Sequence, residues 1–418
     1  MNKSVETLIV VSLSPRSLEL KSKISKMISH NEGRVYVLDC SGDEQTEAWD
    51  TWVVNATKQM ILSMKEDAIA GWSGPIVTIL KISSNADDFR RGLELAAVES
   101  IRGVSGSVAL ERAREGVLSN LVIINDQTCD HDVHLTVNHL LDKRYNGYIT
   151  GATLRLTTIF HSQTVSDKPE QQRFKGRVLI TGAGGNIGFA TAQAFARAGY
   201  QPILSDMNEE ILKQRSAELG GAEILVLDVT DRKRLREKVK EGVLGNTLSA
   251  VILVHGYQGA GELVNLEEEK IDRSIAINAT SVLGMIEELT PLLTEGSAVS
   301  VVSSQAGIKA FENCAAYSGP KFALLGLIQG LASYLGKKGI SFNCLCPGDT
   351  DTTFLRAYFE RLATLQGVDF NTIYNSRAKE VPVGRFARPE EMGEALRFLA
   401  QLDSTGVVLA PTGGYTLT

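Results

Sequence analysis

The sequence predicts an α/β protein made of two Rossmann-like, doubly wound parallel sheets, the first truncated. Three observations predict it. Short apolar runs alternate with helical segments along the chain, which is the pattern of strands joined by crossover helices. The strands are apolar almost throughout, as in IVTILKI (76–82) and VILVH (251–255), so both faces of each sheet are covered. The two halves also match each other at long range. The length of 418 residues fits two to three domains.

In order, residues 6–13 (ETLIVVSL) read as a strand and 15–30 as a helix, with Ser14 as cap and Pro15 at its first position. RVYVLDC (34–40) is a second strand, but SLSPRSLEL stands where a phosphate loop would be. Helices are expected around 52–66, 87–115 and 132–142, with strands at GPIVTILKI and SNLVIIN between them. Residues 1–156 form this first domain, the polar stretch 157–175 reads as a linker, and 176–418 form a second α/β domain.

The repeat runs at a constant offset of 223 residues. Asn55-Ala56-Thr57 matches Asn278-Ala279-Thr280, GPIVTI matches SAVSVV, and GVLSNLVIIND matches GISFNCLCPGD. The first copy is far shorter between Asp39 and Asn55 than the second between Asp206 and Asn278, so a strand–helix–strand segment is missing. At that offset Lys81, Glu94 and Val98 stand where Ser304, Tyr317 and Lys321 stand. The first domain is therefore expected to be a degenerate, non-catalytic copy.

Composition excludes several classes. A net charge of −6 offers no basic surface to nucleic acid or anionic membrane. Five scattered cysteines without CxxC spacing argue for a reducing cytoplasmic setting, with neither a disulfide framework nor a zinc site. No apolar run reaches transmembrane length, and the N-terminal LIVV reads as a buried strand, not a signal peptide.

The chemistry gathers in SQAGIKAFENCAAYSGPK (304–321). Tyr317 and Lys321 are four apart and share one face if helical, with Ser303-Ser304 ending a buried strand ahead of them. A phenol titrates near ~10, and a neighbouring ammonium favours its ionised form, moving it toward the working range. Upstream, RVLITGAGGNIGFATAQAFARAGY (177–200) is a strand, a glycine loop and a helix. Gly182, Gly185 and Gly188 give the turn, the close backbone approach and the helix packing that a dinucleotide pyrophosphate needs. Asp206 ends the next strand, where a carboxylate accepts from both ribose hydroxyls and repels a 2′-phosphate, so NAD is expected over NADP. Asp228, in ILVLDVT, either reaches the adenine or caps its strand end.

TGAGGNIG, Asp206, Asp228-Val229, Asn278, Ser304, Tyr317, Lys321, Pro347-Gly348 and Thr352 together resemble the short-chain dehydrogenase/reductase family over residues 176–418. The resemblance implies a tetrad of Asn278, Ser304, Tyr317 and Lys321. Tyr317 would be the general acid or base, Ser304 would orient the carbonyl, Lys321 would hold the nicotinamide ribose, and Asn278 would hold a water. It further implies that Gly182, Gly185, Asn186, Ile187, Gly188, Asp206, Asp228, Val229, Pro347, Gly348 and Thr352 border NAD, and that 350–382 forms the substrate lid. The sequence departs from the family in three places. His255-Gly256-Tyr257 replaces the usual Asn-Asn-Ala-Gly turn, Asn186 replaces a glycine, and Pro320 sits between Tyr317 and Lys321, where a helix tolerates it only near its start.

A degenerate domain ahead of an NAD-type reductase is similar to the high-molecular-weight 3-oxoacyl-thioester reductases, and also to polyketide ketoreductase units. The substrate expected is an acyl thioester of CoA or of acyl carrier protein, the alternative a bulky cyclic or aromatic secondary alcohol. A silent nucleotide sensor or scaffold is the reading from another class. Family members dimerise through the helices of Asn278 and Tyr317, so a homodimer imitating a tetramer is expected. Other clusters read as structural: Asp130, His131, Asp132, His134 and His139 as a helix entry rather than a metal site, DRKRLREKVK (231–240) as an exposed helix face, and Cys314 as a pocket wall.

Overall fold

A computed structural model describes residues 8–10, 16–27, 33–39, 49–83, 88–142, 144–157 and 176–416. The cap at Ser14-Pro15, Cys40, and the linker beyond residue 157 lie outside the described residues. Contacts divide the chain into two compact units. One is Met1–Thr158 with Tyr374–Phe386 and Pro411–Thr418, and the other is Ile159–Ile373 with Ala387–Ala410.

The first unit holds β1 (Leu8–Val10), α1 (Arg16–Met27), β2 (Arg34–Asp39), α2 (Trp49–Ile69), β3 (Pro75–Lys81), α3 (Asp88–Arg112), β4 (Leu118–Ile124), α4 (Asp130–Leu141) and β5 (Thr153–Arg155). Strand β5 had no counterpart in the sequence reading. All five strands are parallel and lie in chain order, β1-β2-β3-β4-β5. Tyr36, Leu38, Ile76, Leu80 and Leu121 form its core with Met60, Val98 and Ile101.

The second unit contains β6 (Arg177–Thr181), α5 (Asn186–Arg197), β7 (Gln201–Asp206), α6 (Glu209–Glu218), β8 (Glu223–Val226), α7 (Arg232–Lys240) and β9 (Leu248–Leu253). It continues with α8 (Glu268–Ile275), a π-helical turn (Ala276–Thr280), α9 (Ser281–Leu289), β10 (Leu293–Val302), α10 (Ala315–Gly336) and β11 (Ser341–Leu345). After α11 (Thr353–Gln366) comes α12 (Phe370–Glu380), grouped with the first unit from Tyr374 onward; α13 (Pro389–Gln401) and β12 (Val408–Leu409) complete the second. Its parallel sheet runs β12-β11-β10-β9-β6-β7-β8, so strand order reverses between β6 and β9. At such a reversal the loops beyond the carboxyl ends diverge and leave a crevice, the usual place for a dinucleotide.

Comparing the two sheets shows what the first one lacks. Strand β2 lies between β1 and β3, as β9 lies between β6 and β10. By sequence order Asp39 pairs with Asp206, but by sheet position β2 stands for β9, and β7 and β8 have no counterparts among the described strands. The missing segment is therefore the wing that carries Asp206 in the complete sheet.

Helix α5 is held close to α13 because both are small at the contact. A Cβ on Gly393 would lie 2.6 Å from the Ala190 carbonyl oxygen, a separation no real side chain adopts. Gly393→Ala should therefore push α13 off α5 and cost about 2 kcal/mol. The measurement is urea unfolding, with a lower midpoint at unchanged slope.

Candidate functional site

The glycine loop joins β6 to α5. Gly182 has a φ of +62°, and a Cβ there would lie 3.0 Å from the backbone of His255. A Cβ on Gly188 would lie 2.1 Å from the Gly182 carbonyl oxygen, so the helix can start against the loop only with glycine there. Gly185 precedes the first turn of α5 and offers no side chain to its N–H groups. Bare N–H groups at a helix start suit a pyrophosphate. Asp206, at the end of β7, accepts from the Gly184 N–H at 3.2 Å through Oδ2 and from the Asn208 N–H at 3.1 Å through Oδ1. Its carboxylate is thereby fixed beside the loop with lone pairs to spare. The donor set fits a dinucleotide.

Asp228 is exposed beyond β8, and its Oδ1 accepts from both the Thr230 N–H and the Thr230 hydroxyl. The carboxylate thereby closes the turn after the strand. Asn186 uses its side-chain oxygen to accept from Thr353 N–H and Oγ1, each at 3.1 Å, tying the glycine loop to the start of α11. The hydroxyl of Thr191 donates to the Ile187 carbonyl within α5. Val229 is half-buried against the core. Pro347 accepts from the Gln305 N–H at 2.8 Å, Gly348 accepts from the Thr350 hydroxyl, and Thr352 caps α11 by accepting from Leu355 N–H.

At the end of β10 the remaining residues meet. The Ser304 side chain lies close enough to the Tyr317 phenol to draw its titration down. The buried Lys321 donates to the Val302 carbonyl at 3.0 Å, its ammonium 5.8 Å from the centre of the Tyr317 ring. Ser303 donates to the Lys321 carbonyl at 2.8 Å, and a Cβ on Gly307 would lie 2.7 Å from that oxygen. Helix α10 is thus pressed onto the strand end. Burial governs the charges: it pushes the Tyr317 phenol up to about 12, against the pull of Ser304, and lowers Lys321 to about 8. The lowering of Tyr317 expected from its lysine neighbour is not found: burial dominates, and the downward pull comes from Ser304.

The departures from the family pattern are accounted for. The amide of Asn278, in the π-helical turn, reads the Tyr257 backbone on both sides: Oδ1 accepts from its N–H at 3.0 Å, and Nδ2 donates to its carbonyl at 2.8 Å. A Cβ on Gly256 would lie 3.3 Å from Asn278 Oδ1 and 3.5 Å from Lys321 Nζ, so the turn needs a small residue beside them. His255 is buried with Nδ1 2.7 Å from Thr181 Oγ1 and Nε2 2.9 Å from Ser281 Oγ. Ser281 spends its proton on the Ile277 carbonyl, so Nε2 is the donor of that pair. Desolvation, helped by the Lys321 charge, lowers this imidazole to about 3. His255 is therefore a strut between β6 and α9.

Several contributors had no signal in the sequence reading: Gly256, Ser274, and the Gln305 amide that donates to Asp349 at 2.8 Å. Ser274, four residues before Asn278, had only helical spacing to mark it. Cys314 sits half-buried ahead of α10, with its thiol pushed up by burial, unlike an activated nucleophile. In α7, Arg232 and Arg236 both bind Glu288 of α9, as an exposed face would. In the first unit, Lys81 pairs with Asp126 at 2.8 Å, and the Glu94 carboxylate accepts from Ser83 N–H. Asp130 pairs with Lys23.

A family model described as Enoyl-(Acyl carrier protein) reductase matches residues 182–416, more than half of the chain. The chain belongs to the short-chain dehydrogenase/reductase family. Its relatives in the family include dehydrogenase/reductase SDR family member 6 of Rattus norvegicus, 31% identical over 252 residues, covering 59% of this chain and 99% of the relative. The 3-oxoacyl-(acyl-carrier-protein) reductase of Thermotoga maritima is 29% identical over 257 residues, covering 59% of this chain and all of the relative. Among solved structures, a variant of the actinorhodin polyketide ketoreductase with NADPH superposes with a TM-score of 0.54 at 22% identity. It covers 58% of this chain and 98% of that one, a likeness of fold. The chain is accordingly an oxidoreductase of the ketone/alcohol type. Among the described residues no helix is long and apolar enough to cross a membrane.

Because the folded chain holds His255 neutral down to about pH 3 while the unfolded chain protonates near 6.5, acid favours unfolding. Stability from this group is present above pH 6.5 and is lost as pH falls. Between pH 6 and 5 the wild type should lose about 1 kcal/mol more than His255→Gln, measured by urea titration at each pH.

Proposed function

We propose that this protein interconverts a ketone and a secondary alcohol with NAD(H), the ketone being a 3-oxoacyl thioester of CoA or of acyl carrier protein. The reading is carried by the gathering of Ser304, Tyr317 and the buried Lys321 at the carboxyl end of β10, the Lys321 ammonium 5.8 Å from the centre of the Tyr317 ring. When bound, the nicotinamide supplies or accepts the hydride. Ser304 holds the substrate oxygen against the Tyr317 hydroxyl, which hands over its proton as the oxygen becomes an alkoxide. Lys321 sits behind the phenol as the nearest cation and holds the nicotinamide ribose, and Asn278 fixes the turn that borders both. Gly182, Gly185, Asn186, Ile187 and Gly188 border the pyrophosphate, and Pro347, Gly348 and Thr352 the nicotinamide.

Asp206 supports NAD over NADP, since its fixed carboxylate repels a 2′-phosphate and no cation stands beside it in the loop sequence. The thioester follows from likeness to the 3-oxoacyl reductase of Thermotoga maritima. A homodimer is supported by α10, whose Gly319, Gly326 and Gly330 leave open space beside an exposed Phe322. The truncated domain is assigned no catalytic part, because Lys81 and Glu94 occupy the Ser304 and Tyr317 positions.

The test is oxidation of NADH and NADPH at 340 nm with acetoacetyl-CoA. NADH should be preferred, and Tyr317→Phe should lower kcat by about 10²- to 10⁴-fold. Asp206→Ala should lower the NADH preference about tenfold, one lost charge-assisted hydrogen bond. Equal turnover by wild type and Tyr317→Phe would exclude this mechanism.

A further inference from the structure

We infer that Ser274 is a positioning residue for the Tyr317 site, compensating the proline that interrupts the helix on which Tyr317 lies. The inference rests on the oxidoreductase reading for its activity readout and on hydrogen bonding for its structure.

Pro320 is the sixth residue of α10, beyond the first turn, where proline is ordinarily not tolerated. It has no N–H, so the carbonyl four residues back, that of Ala316, loses its helical donor. Ala316 is buried and directly precedes Tyr317. An unsatisfied buried carbonyl there would be destabilising and would invite the turn to twist toward another donor. The Ser274 hydroxyl, fully buried on α8, donates to this carbonyl at 2.6 Å.

The same hydroxyl is anchored from the other side. Asn278 Nδ2 donates to Ser274 Oγ at 3.0 Å, one helical turn along. One uninterrupted path therefore runs from the Tyr257 backbone through the Asn278 amide and the Ser274 hydroxyl to the residue before Tyr317. The space is made for it: a Cβ on Gly259 would lie 2.5 Å from Ser274 Oγ. Ser274 touches none of the reacting groups. It sets the orientation of Asn278 and the pitch of the turn that aims the Tyr317 hydroxyl at Ser304.

The path makes the two positions interdependent. With Pro320 in place, Ser274→Ala strands the Ala316 carbonyl. With Pro320→Ala, the new backbone N–H satisfies that carbonyl, and Ser274→Ala removes only one of the partners of Asn278. The experiment is a double-mutant cycle on the full chain, following kcat across pH together with thermal unfolding. Ser274→Ala should lower kcat about tenfold in the wild-type background, and less than about threefold in the Pro320→Ala background. In the first background it should also move the pH at which kcat is half-maximal, which a loss of folded protein does not do. The Tm loss on Ser274→Ala should be smaller in the Pro320→Ala background.

Equal effects of Ser274→Ala in both backgrounds, on kcat and on Tm, would overturn the inference. A Tm coupling with no shift in the pH dependence would reduce Ser274 to a structural cap and overturn its positioning role. A wild type that reduces no ketone would overturn the oxidoreductase reading instead, leaving the Ser274–Pro320 compensation to stand or fall on the Tm coupling.

Discussion

The structure of the second unit depends on burying a lysine at the end of a central strand. Removing an ammonium from water is tolerated only where neighbouring groups replace its hydration or its charge is given up. Lys321 does some of each: its Nζ donates to the Val302 carbonyl, and burial lowers it to about 8. The requirement propagates outward. Helix α10 must lie against β10, which needs Gly307 to be bare and Ser303 to take the Lys321 carbonyl. The turn after β9 must be narrow beside the ammonium, which needs Gly256. His255 nearby is kept neutral by its own burial and by the Lys321 charge.

The same constraint explains how the site keeps its chemistry while its sequence drifts. A family member with an Asn-Asn-Ala-Gly turn and one with His-Gly-Tyr-Gln face a common problem, the fixing of a loop against Asn278 and Lys321. Here the Asn278 amide pairs with the Tyr257 backbone as a neighbouring strand would, and backbone pairing is indifferent to the side chain that follows. The imidazole takes over the bracing of β6 against α9. Asn186, where glycine is common, spends its side-chain oxygen on Thr353 and so links the glycine loop to the start of α11.

The truncated first unit shows which part of such a sheet is dispensable for folding. Among the described residues its five strands bury a core from Tyr36 to Leu121 with no strand beyond β1. The wing missing there carries, in the complete sheet, the carboxylate beside the glycine loop. Its core can persist because hydrophobic burial depends on the strands that remain. Binding a dinucleotide depends on a crevice at the reversal of strand order, and among the described residues the first sheet has no reversal.

By itself the sequence determined the alternation of strands and helices, the internal repeat, the glycine loop with Asp206, and the spacing of Ser304, Tyr317 and Lys321. These are local patterns, fixed by backbone sterics and by periodicities of two and of about 3.6. It did not reach the place of β2 in its sheet, because strand order is a long-range property and Asp39 ends its strand much as Asp206 does. Nor did it reach the roles of Ser274, Gly256 and His255, or the burial that pushes Tyr317 up to about 12. Those were decided only by the tertiary structure. Whether a hydroxyl is a solvated side chain or the donor that replaces a missing N–H depends on what packing brings within 3 Å of it. The tolerance of Pro320 depends on a serine 46 residues away, a distance across which sequence patterning carries no signal.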